Sequence, residues 1–139
     1  MFTFKSALCA LTLTVATAAH ADVVVVMSAK SPVTALSQAQ VSDIFLGKTA
    51  TFPQGGQAVP IDLASGAANR ELFYTKVTGR TAVQLKSYWA KQSFSGKGTA
   101  PKAVAGDDEV KKLIAANPNT IGYIDKSRVD ASVKVVFEP

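Results

Sequence analysis

The sequence predicts a single α/β domain, a small mostly parallel or mixed sheet flanked by helices. Three observations carry this expectation. Residues 22–28, "DVVVVMS", form a continuous apolar run that suits a strand buried on both faces, which requires helices on both sides. Segments with helical periodicity, each with its own start and stop signals, alternate with shorter strand-like runs. Setting 21 N-terminal residues aside as a leader leaves 118 of 139, enough for one modest core.

That leader is read from Met1–Ala21. A short n-region carries Lys5, Ser6 to Ala18 is mostly apolar, and Ala19-His20-Ala21 is a small-x-small cleavage signal, which together describe a secretory signal peptide. The expected location is therefore the periplasm. The apolar stretch is shorter than the roughly 20 residues of a membrane span, and no later segment approaches that length. Cleavage would remove Cys9 and His20, the only cysteine and histidine, and with them thiolate chemistry, disulfides, His-based triads and the usual zinc or copper sites. The formal net charge of +5 becomes +4 without Lys5. Such a field favours a small anion or an acidic partner surface. The lysines are scattered without a basic stripe of interleaved aromatics, so nucleic acid is not an expected partner.

The elements follow in order. In "LSQAQVSDIFLGK", Ser37 and Gln40 have capping-box spacing, Leu36 and Val41 are placed for a hydrophobic staple, Val41, Ile44 and Phe45 form an apolar stripe, and Gly47 supplies the stop. "TFPQGGQ" is turn chemistry and "AVPIDL" a short strand. From Gly66 to Thr78, Ala68, Leu72, Phe73 and Val77 give a helical stripe ended by Gly79. Thr81 and Gln84 repeat the capping box before Ala82, Leu85, Tyr88 and Trp89, with core packing expected of the two aromatics. "SFSGKGTAPKAVAG" reads as a loop, "DDEVKKLIAANP" as a helix with acids in its first turn, and "TIGYID" and "SVKVVFE" as closing strands.

No set of residues at recognisable spacing supplies a nucleophile and base, so no catalytic residue, cofactor or metal ligand is assigned and the chain is not read as an enzyme. Asp107 and Asp108 are explained as helix-start residues, Asp62 has no evident partner, and "GDDE" lacks the alternating spacing of a calcium loop. "SGKGT" at 95–99 fails the phosphate-loop pattern, with Lys91 where a glycine is needed and Gly98 where Ser or Thr is needed. The remaining candidate is "DLASGAANRELF". Small residues at the strand-to-helix junction Ser65-Gly66-Ala67-Ala68 would let an oxyanion approach unpaired backbone N–H groups. Ser65 acting only as the cap of its own helix is the other reading. Arg70, five positions after Ser65, either folds back to an anion or pairs with Glu71 or a neighbouring loop.

The order "SPVTALSQAQVSDIFLGK", "PIDLASGAANRELF", "YW…F…GKG…P" and "DDEVKKLI…NPNTIGYID" resembles the phosphate-binding components of ABC transporters, in the type II periplasmic binding protein superfamily. The resemblance runs from about Val23 to Phe137 and implies a single-lobe periplasmic-binding-protein-like domain over residues 22–139. In that family two α/β lobes clamp phosphate, and a Ser-Gly-Thr at a helix start supplies hydroxyl and backbone donors. That motif falls on Ser65, Gly66 and Ala67. The resemblance thus implies binding of phosphate or a similar oxyanion at Ser65, Gly66, Ala67, Ala68 and Arg70. The implied partners are an ABC permease or another envelope protein, or a second copy of the chain closing the site. Ala67 departs from the family's threonine, the family's arginine before the motif is missing from "PIDLA", and the likeness covers only the lobe carrying this motif. These departures motivate the alternative of an adaptor module that keeps the fold without the ligand.

Overall fold

The computed structural model describes residues 22–139; the expected signal peptide at residues 1–21 lies outside them. In chain order the elements are β1 (Val23–Ser28), α1 (Gln38–Phe45), β2 (Val59–Leu63), α2 (Ala68–Thr78), α3 (Ala82–Phe94), β3 (Lys102–Val104), α4 (Asp107–Ala116), β4 (Thr120–Asp125), a 3-10 turn (Lys126–Arg128) and β5 (Val133–Phe137). The strands form one five-stranded sheet in the order β3-β2-β4-β1-β5. It is mixed: β1 runs antiparallel to both β4 and β5, while β2 is parallel to β3 and β4. Every residue of β1 is buried, as the unbroken valine run requires.

Two adjacent residues of β4 decide how the helices cover the sheet. Successive side chains on a strand point to opposite faces. Gly122 presents bare backbone to α4, where an added Cβ would sit 2.6 Å from Val110 Cγ1, so the helix packs closer than any side chain would allow. On the opposite face Tyr123 stacks on Phe73 of α2, with ring centroids 4.0 Å apart, and meets Phe45 of α1 edge-on at 5.9 Å. Helices α1 and α2 therefore cover one face and α4 the other.

The capping signals hold. Ser37 Oγ accepts from Gln40 N at 3.2 Å and Gln40 Oε1 accepts from Ser37 N at 2.8 Å. Thr81 and Gln84 repeat the exchange at 3.2 and 3.0 Å. Gly47 and Gly79 end α1 and α2 with φ of +70°, a left-handed conformation that glycine adopts without steric cost. At the start of α1, Gln38 Nε2 donates to the carbonyls of Lys76 and Val77, satisfying acceptors at the end of α2.

Two expectations need correction. Helix α2 starts at Ala68 rather than Gly66, because Gly66 takes φ +91° and belongs to the preceding turn. The segment read as one loop from Ser93 to Gly106 contains the end of α3 and the whole of β3. Strand β3 spans three residues at the sheet edge with two of them exposed, too short to carry a periodic signal.

Candidate functional site

Strands β2, β3 and β4 are parallel, so their C-terminal ends lie along one edge of the sheet. From that edge the chain passes into α2, α4 and the 3-10 turn respectively. Ligands of open α/β sheets bind at such edges. The candidate junction Ser65–Ala68 lies here, at the end of β2.

Just inside the edge is a buried polar knot that local sequence signals did not reveal. Asp62 Oδ1 accepts from Leu63 N at 2.8 Å and from Tyr123 Oη, and Oδ2 accepts from Tyr74 Oη at 2.9 Å and Arg70 Nε at 3.3 Å. Asp62 is 4% exposed, so these donors replace the water it has lost. Burial, and then the Asp62 charge, push both tyrosine hydroxyls well above the usual phenol range, keeping them protonated as donors. The Asp62 ligands come from residues 1, 8, 12 and 61 positions away, spread over β2, α2 and β4. A carboxylate inside an otherwise apolar strand was the only sequence signal.

This knot corrects the carboxylate partner expected of Arg70. Its partner is Asp62 rather than Glu71, and its guanidinium carbon lies 5.3 Å from the Tyr74 ring centroid. Only Nε is engaged; among the described residues no acceptor takes the Nη groups. Their five-donor fork is therefore partly unused.

The turn itself is held by backbone. Ala64 N donates to Val104 O at 3.0 Å and Ala67 N to Ala64 O at 3.1 Å. The N-cap of α2 is Ala67, and no side chain caps the helix, so the reading of Ser65 as a helix cap is not what the fold adopts. Ala67 O already accepts from Arg70 N and Glu71 N, while the N–H groups of Ala68 and Asn69 point out of the helix start without a side-chain acceptor.

The five candidate residues separate around two hollows. Ala67 and Ala68 line the larger, about 720 Å³, together with the start of α4 and the end of β4. Its rim is acidic: Asp107, Asp108, Glu109 and Asp125 face a single cation, Arg128, which is paired with Asp108. Hydrogen bonds from Ser127 hold the Asp125 carboxyl below the usual range, so it remains charged. Ser65 and Arg70 line the other hollow, about 450 Å³, with Lys86 and Trp89 of α3. Gly66 lies in the turn between the two groups. Lys86 was missed because nothing in its local pattern distinguishes it from a solvated helix lysine. Among the described residues no group of three or more His, Cys, Asp or Glu could hold a metal ion, and no helix is long and apolar enough to cross a membrane.

Comparison with solved structures places this geometry. A protein from Clostridium perfringens, assigned as a phosphate ABC transporter substrate-binding protein and solved with bound phosphate, matches with a TM-score of 0.67 and 26% identity over 84% of this chain and 44% of its own. The fold is similar to one lobe of a phosphate ABC transporter substrate-binding protein. An ABC-type phosphate transport receptor from Vibrio cholerae matches with TM-score 0.66 at 19% identity, covering 84% of this chain and 45% of its own. PstS from Borrelia burgdorferi matches at 0.62 and 13%, covering 84% and 46%. The chain thus spans less than half the length of these proteins. No family model matches the sequence and no curated protein matches it significantly. The single-lobe fold expected from the resemblance is the fold observed.

Proposed function

We propose that this chain is an exported, periplasmic solute-binding-like protein that engages phosphate or a similar small oxyanion at Ser65, Gly66, Ala67, Ala68 and Arg70, and that it is not an enzyme. The observation carrying the reading is the α2 N-terminus, which has no side-chain cap among the described residues, with Ser65 of the preceding turn and Arg70, whose Nη groups find no acceptor there, lining the neighbouring hollow. Its similarity to a protein solved with bound phosphate supports the same ligand class. Three charge-assisted hydrogen bonds at about 1.5 to 3 kcal/mol each, against roughly 4 kcal/mol or more of lost translational and rotational freedom, give roughly millimolar affinity. Tighter capture needs a second surface over the edge of the sheet, from a second copy, an ABC permease or another envelope protein.

The acidic rim favours a second reading. Four carboxylates beside the α2 N-terminus repel an anion approaching from the larger hollow, and Ala67 has no hydroxyl to add. On this reading the chain is an adaptor that has kept the fold and lost the ligand.

Thermal unfolding in phosphate, sulfate and chloride at matched ionic strength separates the two. The binding reading predicts stabilisation by phosphate of about 1.4 kcal/mol at roughly ten times the dissociation constant, a rise of several degrees in Tm, reduced in Ser65→Ala. Absence of any phosphate-specific shift at tens of millimolar would leave the adaptor reading.

A further inference from the structure

We propose that the hollow between the Ser65 turn and α3 takes a phosphate monoester with an apolar substituent, rather than inorganic phosphate alone; this rests on the oxyanion reading of Ser65 and Arg70. The hollow is chemically two-sided. Ser65, Arg70 and Lys86 supply hydroxyl and cationic donors, whereas Ala82, Val83 and Trp89 supply an apolar wall. Val83 is 76% exposed, leaving that wall without a cover among the described residues. At about 450 Å³ the hollow lies in the range of sites for organic ligands, and a five-atom anion would fill only a fraction of it.

Trp89 provides the independent observation. It is 8% exposed, and its indole Nε1–H is the buried side-chain polar atom without a hydrogen-bond partner among the described residues. Native folds rarely leave a buried donor unpaired. The benzo edge of the ring is taken up at the end of α1, where a Cβ on Gly47 would lie 3.1 Å from Trp89 Cη2. The pyrrole part carries the orphan donor, and Trp89 lines the hollow. Nε1 itself has under 1 Å² of accessible surface, so an ester or substituent oxygen reaches it only as the side chains over it move aside, while the anionic head meets the Arg70 Nη groups and Lys86.

Trp89 is the only tryptophan, so its emission reads this hollow directly. Phenyl phosphate should change the emission saturably, with half-saturation at least about tenfold below that of inorganic phosphate, the equivalent of covering roughly 60 Å² of apolar surface. Lys86→Ala, at an exposed position, should raise the phenyl phosphate half-saturation about three- to tenfold without lowering Tm. Calorimetric titration of Trp89→Phe, which keeps a ring but loses the donor, should also show weaker binding. Equal half-saturation for the two anions would overturn the monoester assignment and leave phosphate binding standing. Phenol acting as well as phenyl phosphate would overturn it as well, since the anionic head would then contribute nothing. Response to neither anion, with no phosphate-specific thermal shift, would overturn both this inference and the oxyanion reading.

Discussion

Replacing Asp62 with alanine is expected to destabilise the protein by about 3 to 5 kcal/mol, read as a lower midpoint of urea unfolding at an unchanged slope. The carboxylate is the common acceptor for two buried tyrosine hydroxyls, the Leu63 N–H and Arg70 Nε. Removing it strands both tyrosine hydroxyls and Arg70 Nε, the last on a cation whose side chain is only 15% exposed, while the Leu63 N–H keeps Tyr123 Oη as an acceptor at 3.2 Å. Against a typical total stability of about 5 to 15 kcal/mol, the loss leaves little of the native population in reserve. Asp62→Asn keeps the shape but turns an amide donor towards groups that themselves donate, so a substantial part of the loss should persist. A cost under about 1 kcal/mol for the alanine variant would mean that the knot contributes little to holding β2, α2 and β4 together.

Phe73→Ala is the second large effect, again expected at about 3 to 5 kcal/mol in equilibrium unfolding. Phe73 is fully buried, stacked on Tyr123 and edge-on to Phe45 at 4.8 Å. Its loss opens a cavity between α1, α2 and β4 that the flanking rings, themselves fixed by other contacts, cannot collapse to fill. Tyr123 would also lose the ring that sets its plane, so the hydroxyl should hold Asp62 less firmly. Asp62→Ala and Phe73→Ala are consequently expected to be non-additive, unlike substitutions at distant sites.

What was legible in the sequence was local. The valine run of β1, the capping boxes at Ser37 and Thr81 and the terminating glycines Gly47 and Gly79 are each fixed by neighbours within a few residues, and all hold in the fold. The turn after β2 was located correctly, yet α2 begins two residues later than expected because Gly66 adopts φ +91°. Tyr74 was left out of the predicted α2 stripe because a tyrosine on a polar-looking helix gives no sign that its hydroxyl will reach a carboxylate twelve residues earlier. Lys86 and Trp89 join Ser65 and Arg70 only because α3 folds back beside the turn. Periodicity along one helix cannot report that meeting. The split of the candidate residues around an acidic and a cationic hollow is likewise a property of the sheet edge, where strand ends distant in sequence converge.

The central claim is that the uncapped start of α2, with Ser65 and Arg70, is an oxyanion site. Its most direct test is inorganic phosphate titrated into ¹⁵N-labelled residues 22–139, with chloride at constant ionic strength as the control. Saturable shifts are predicted at the amides of Gly66, Ala67, Ala68 and Asn69 and at Arg70 Nε–H, with roughly millimolar half-saturation. Shifts scattered over surface lysines, or none specific to phosphate at the α2 start, would contradict the claim.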